Sequence, residues 1–136
     1  MSSGDRQAHE NAREAEKKKL LGNDFYKKKN FPEAIEHYRA ASELNPKELT
    51  YYSNLAAVYV EMGELEKAIE CCDNAIEKAK EGNYDYVKLG KAKARKALCL
   101  SKQEKLDESI DMYKEALLEH NNYDIKQAKL KVEKRK

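Results

Sequence analysis

Leu21-Gly22-Asn23-Asp24-Phe25-Tyr26-Lys27-Lys28-Lys29-Asn30-Phe31-Pro32-Glu33-Ala34-Ile35-Glu36-His37-Tyr38-Arg39-Ala40-Ala41 is the stretch that decides the fold. Moved along the chain by 34 residues, it meets a copy of itself. Leu21-Gly22 falls on Leu55-Ala56, Phe25 on Tyr59, Phe31 on Leu65, Ala34 on Ala68, Tyr38 on Cys72 and Ala41 on Ala75. Size and polarity agree at each position, and the period is that of a helix–turn–helix unit stacked into a solenoid. A third copy follows at a shift of 41, placing Tyr59 on Leu100, Leu65 on Leu106, Ala68 on Ser109, Cys72 on Tyr113 and Ala75 on Ala116. The additional seven residues amount to about two helical turns. They can lengthen the helices flanking Gly82 without rotating their apolar faces.

Each unit follows a packing logic. Small residues (Gly22, Ala56, Ala97; Ala34, Ala68; Ala41, Ala75, Ala116) fall where paired helices must approach closely, and large apolar residues fill the rest. The first helix of unit one is expected from 11 to 29 and the second from Pro32 to Leu44, with the proline tolerated in the first turn. Asn45-Pro46 breaks the chain before unit two. Gly63 and Gly82 are expected to supply positive φ at the next two turns. The second helix of unit three ends near His120-Asn121-Asn122. Beyond it, Ile125, Ala128, Leu130 and Val132 outline a capping helix over about 123–135 that covers the open end of the stack. The expected organisation is all-α: a flexible tail over 1–10, then one domain over 11–136 with units at about 15–48, 49–89 and 90–121.

Charged residues make up 38% of the chain, yet the formal charge is only +2, too small to mark a nucleic-acid binder. The basic C-terminal residues lack interleaved aromatics and read as a solvated cap face. No run of about 18 apolar residues exists, so no membrane span is expected. The polar stretch from Met1 to Asn11 lacks the apolar centre of a secretory signal. Cys71, Cys72 and Cys99 read as reduced core thiols, which implies a cytoplasmic location. His9, His37 and His120 are far apart, no spacing suits zinc, and no phosphate loop or nucleophile arrangement is present. No catalytic residue, metal or cofactor is expected.

The pattern Leu21-Gly22-x-x-Phe25, Ala34, Tyr38, Ala41, Pro46 resembles a tetratricopeptide repeat (TPR), with Lys18 in place of the usual first aromatic. Unit three departs from it at Lys96, Leu100 and Ser109. The resemblance covers Ala15 to Asn121 and implies a three-repeat TPR solenoid whose groove is lined by the first helix of each unit. In that register Lys19, Asn23, Asn54, Lys91 and Arg95 face the groove. Three cations there would repel one another unless a ligand brings anions. A protein C-terminus ending in Asp brings two adjacent carboxylates, which suit a lysine point charge, an arginine fork and amide donors.

These five residues match the two-carboxylate clamp of TPR co-chaperones. By that resemblance Lys19, Asn23 and Asn54 would hold the terminal carboxylate, and Lys91 and Arg95 the second. The segments from Leu21 to Lys29, from Thr50 to Tyr59 and from Ala75 to Lys91 are more specifically similar to the central TPR module of the Hop/stress-inducible co-chaperone family. That module takes the C-terminal Met-Glu-Glu-Val-Asp of heat-shock protein 90. Tyr26 and Glu61 match positions near the upstream Met, and Thr50 and Lys88 are further groove positions. Lys88 and Leu98 replace polar family residues. The implied partner is the heat-shock protein 90 tail, with that of heat-shock protein 70 as second candidate, and the domain alone is expected to be monomeric. The rivals are the TPR domain of an immunophilin or phosphatase co-chaperone, and a scaffold that binds elsewhere on its surface.

Overall fold

The computed structural model describes residues 2–82 and 84–136. The described residues form α1 (Ser3–Lys27), α2 (Phe31–Leu44), α3 (Thr50–Met62), α4 (Leu65–Glu81), α5 (Tyr86–Lys102), α6 (Leu106–Glu119) and α7 (Tyr123–Arg135), with no strand among them. The helices pack in chain order: α1 on α2, α3 on α4 and α5 on α6, joined by α2 on α3, α4 on α5 and α6 on α7. This is the helix–turn–helix solenoid that the periodicity predicts.

The small residues sit at the close approaches. Ala34, Ala41, Ala68, Ala75, Ala97 and Ala116 are wholly buried. A Cβ built on Gly22 would lie 2.6 Å from Tyr38 Cε1, so the α1–α2 contact has no room for even a methyl group. Tyr38, Leu55, Val58 and Tyr59 form one core cluster, and Ile110, Tyr113, Ile125 and Val132 another beneath α7. The seven extra residues lengthen the flanking helices as expected: α4 and α5 have 17 residues each, against 14 in α2 and 13 in α3.

Three expectations need correction. Residues 3–10, read as tail, are helical and belong to α1, while Met1 lies outside the described residues. Ser2 caps this helix, its Oγ accepting from the Asp5 N–H at 3.2 Å. The segment is exposed throughout, so it carries no apolar period for a sequence reading to find. Leu130 is largely exposed, leaving Ile125, Ala128 and Val132 to seal the end. Tyr84, Tyr86 and Tyr123 also lie on the surface. Gly82 has φ −109°, so it supplies no left-handed turn; Asn83, which follows it, lies outside the described residues.

The left-handed turns occur instead at Lys29 (φ 60°), Gly63 (φ 77°) and Glu104 (φ 63°). Under shifts of 34 and 41 these are one register position, the turn inside each unit. A side chain at positive φ carries a steric cost that glycine avoids. Lys29→Gly is therefore expected to stabilise the domain by roughly 0.5–1 kcal/mol. Glu104→Gly should gain less, because the Glu104 carboxylate accepts from Arg135 at 2.7 Å. Urea unfolding checks this, and a less stable Lys29→Gly variant would refute it.

Candidate functional site

α1, α3 and α5 are the first helices of the three units, and every site residue expected from the sequence stands on one of them. Lys19, Asn23 and Tyr26 are on α1, Thr50, Asn54 and Glu61 on α3, and Lys88, Lys91 and Arg95 on α5. A spacing of i, i+4 sets Lys19 beside Asn23 and Lys91 beside Arg95. None of the nine is fully buried.

Three of these residues converge from three different units. Arg95 Nη1 donates to the Ser53 carbonyl at 2.9 Å, tying α5 to α3 next to Asn54. The Tyr26 hydroxyl faces the Glu61 carboxylate and lies in the field of Arg95. Burial, then Glu61, raises its pKa against the opposing pull of the guanidinium. Asn23 is oriented from behind: its Oδ1 accepts from the Tyr38 hydroxyl at 2.5 Å. With its oxygen engaged, the Asn23 amide offers its two N–H groups to an outside acceptor.

Lys19 is not a bare cation. Its Nζ lies 2.8 Å from Glu16 Oε2, and Glu16 Oε1 accepts from the Tyr51 hydroxyl at 2.9 Å. The hydrogen bond from Lys19 is the main cause holding the Glu16 carboxyl below its ordinary value. Tyr51 is fully buried, and burial pushes its phenol up to about 12. The expectation of three mutually repelling cations is thus corrected: Glu16 neutralises one, and a backbone carbonyl takes part of the field of Arg95. Lys91 is exposed and pairs with no acid among the described residues.

Thr50 and Lys88 are gathered elsewhere. Glu48 Oε1 accepts from Thr50 Oγ1 at 2.6 Å and from Lys88 Nζ at 3.1 Å. Burial works to raise the Glu48 pKa, but these donors outweigh it and the carboxyl lies below its ordinary value. Thr50 opens α3 and Glu61 comes eleven residues later, about 16 Å along the helix. Glu48 and Lys88 instead line a separate cleft with Tyr84, Tyr86 and Val87. The structure does not bring Thr50 and Lys88 into the Tyr26–Glu61–Arg95 group.

Sequence reasoning missed Glu16, Glu48 and a cavity beside α7. Glu16 left a signal, since an acid three residues before a lysine on a helix forms an ion pair. The other candidates are quiet. Burial pushes the Cys72 thiol up to about 12 and that of Cys71 to about 11, so neither forms a thiolate at neutral pH. Among the described residues no cluster of His, Cys, Asp and Glu could hold a metal ion, and no helix is long and apolar enough to cross a membrane.

Comparison with known proteins adds to this geometry. The family described as TPR repeat matches residues 22–63, and the one described as tetratricopeptide repeat matches residues 47–117. The chain is 42% identical over 112 residues to the Hsp70-Hsp90 organizing protein of Triticum aestivum, covering 79% of this chain and 19% of that protein. It therefore spans about a fifth of the length of that curated relative. Among solved structures, the N-terminal domain of stress-induced protein-1 from C. elegans superposes with a TM-score of 0.83 at 32% identity, covering 90% of this chain and 97% of that one. The TPR2AB domain of yeast Sti1, solved as an Hsp90 complex, superposes with a TM-score of 0.85 at 40% identity, covering 89% of this chain and 46% of that one.

Proposed function

This chain belongs to the tetratricopeptide repeat family, and on that premise we propose that it is a non-catalytic peptide-binding module of a cytosolic co-chaperone. Its ligand is the acidic, free C-terminal tail of heat-shock protein 90. One observation carries the reading: Lys19, Asn23, Asn54, Lys91 and Arg95 all stand on the first helices of the units, with Asn23 turned by Tyr38 to offer its N–H groups. Likeness to Hsp70-Hsp90 organizing proteins, and to a Sti1 domain solved with an Hsp90 ligand, supports the broader class of chaperone-tail binder. Lys19, Asn23 and Asn54 hold the terminal carboxylate. Lys91 and Arg95 take the second carboxylate and the peptide groups beside it. Tyr26 and Glu61 flank the upstream residue, which favours a Met there and gives heat-shock protein 90 tails a modest edge over those of heat-shock protein 70. Thr50 and Lys88 can contribute only if the ligand extends toward Glu48.

The tail is flexible when free, so ordering it offsets much of the electrostatic gain. The expected affinity is micromolar, about −7 to −8 kcal/mol. Asn54→Ala removes one donor to a charged group and should cost roughly 1.5 kcal/mol of binding, about tenfold. The side chain has no partner in the free domain among the described residues, so its loss should leave stability within about 0.5 kcal/mol. Isothermal calorimetry with tail peptides, paired with a urea melt, measures both. Undiminished affinity in Asn54→Ala would remove Asn54 from the clamp.

A further inference from the structure

Glu16 stands one turn before Lys19 on α1, and Glu48 lies just ahead of α3, whose Thr50 stands one turn before Asn54. Through its two oxygens Glu16 binds Lys19 Nζ at 2.8 Å and the Tyr51 hydroxyl at 2.9 Å. Glu48 Oε1 accepts from the Thr50 N–H at 3.2 Å, the Thr50 hydroxyl at 2.6 Å and Lys88 Nζ at 3.1 Å. On α5, Asp85 Oδ1 accepts from the Lys88 N–H at 3.0 Å. The first turn of a helix ordinarily attracts an anion through its free N–H groups. At α3 and α5 a carboxylate of the chain itself already sits there. Both glutamates keep solvent contact and both titrate below the ordinary carboxylate value, so both are anionic at neutral pH. The charge of Glu48 also acts on Glu16.

We propose that Glu16 and Glu48 form an anionic end wall that makes the groove reject a ligand continuing past its terminal Asp. The inference rests on the clamp reading above and adds the residues that fix where the ligand must stop. In that reading the tail runs from Tyr26 and Glu61 toward Lys19 and Asn54, so one further residue would carry its carboxylate toward Glu16 and Glu48. The donors there are engaged, Lys19 and Tyr51 by Glu16, Thr50 and Lys88 by Glu48. Lys91, which pairs with no acid among the described residues, is taken by the second carboxylate of the ligand itself. A displaced terminal carboxylate therefore finds no free partner and meets two like charges. One held by Asn23 and Asn54 stops short of them. Thr50 and Lys88 then serve the wall rather than the ligand.

The test uses the whole domain and acidic peptides of two lengths, a tail ending in Asp and the same tail extended by one Gly, each as free acid and as amide. For the tail ending in Asp, the acid should bind more tightly than the amide. For the extended tail the order should reverse, with the amide binding about threefold more tightly because its end carries no charge for the wall to repel. The double variant Glu16→Gln, Glu48→Gln keeps side-chain size and the acceptor oxygens for Tyr51 and Thr50 while removing both charges, and it should abolish the reversal. Each single variant should reduce it, a readout that a merely structural loss would not move. Competition against a labelled tail peptide measures each affinity. An extended acid that binds wild type as tightly as its amide would overturn the end wall, as would a reversal that survives in the double variant. Equal binding of acid and amide for the tail ending in Asp would instead overturn the clamp reading itself, and the end wall with it.

Discussion

Replacing Arg95 by alanine is expected to weaken tail binding by roughly tenfold to a hundredfold, the effect of losing a charge-assisted contact of about 1.5–3 kcal/mol. The guanidinium stands where units two and three meet, donating to the Ser53 carbonyl and facing the Tyr26–Glu61 pair. A ligand carboxylate arriving there meets a fork already held in place, so little side-chain entropy remains to be lost. The same anchoring changes the expected control. A clamp residue on an open groove should be silent in stability, but Arg95→Ala also removes the tie from α5 to α3 and should cost the free domain about 1 kcal/mol. Arg95→Lys keeps the charge without the planar fork, so its binding should fall between alanine and wild type. Calorimetry of the three proteins, each with a urea melt, separates the two effects. Undiminished affinity in Arg95→Ala would remove the clamp.

The fold was legible because close helix packing leaves a mark that survives substitution. Ala34 and Ala68, or Ala41 and Ala75, recur at one spacing since nothing larger fits there. The turns were read less well. Gly63 does adopt positive φ, but Lys29 and Glu104 adopt it too under the constraint of the repeat, whereas Gly82 does not. Register was therefore a better guide to that turn than residue type. Residues 3–10 escaped because a helix held by its cap and by propensity has no buried stripe to reveal it.

The site divides along similar lines. Positions on the first helices followed from the register, and the resemblance to TPR co-chaperones named five of them as clamp candidates. Their partners did not. Tyr51 is 35 residues from Glu16, and the Ser53 carbonyl is 42 from Arg95. Such contacts depend on how units stack, and the period of the chain does not encode them. The α7 cavity is a further case, since it needs three helices from two elements of the repeat and the cap. Leu98 was visible in the sequence as a departure from the family, but its neighbours were not.

Amidating the terminal carboxylate of the tail peptide is expected to lower affinity at least tenfold, about 1.4 kcal/mol. That carboxylate is the group Lys19, Asn23 and Asn54 are proposed to share, and the amide carries neither its charge nor its full acceptor capacity. The free domain limits how large the effect can be. Lys19 already lies against Glu16, so the ligand exchanges one carboxylate partner for another or joins it, and gains less than a bare lysine would give. Much of the discrimination must therefore come from the two asparagines, and from the Asn23 N–H groups that Tyr38 leaves free. Salt provides a second reading of the same physics. Lys19, Lys91 and Arg95 all retain solvent contact, and the Debye length falls from about 10 Å at 0.1 M ionic strength to about 3 Å at 1 M. The free-acid peptide should lose affinity over that range faster than the amide does, so the gap between them should narrow. Calorimetry with both peptides at two salt concentrations measures gap and slope together. Equal binding of the two forms at low salt would mean that the tail's terminal carboxylate is not what this groove recognises.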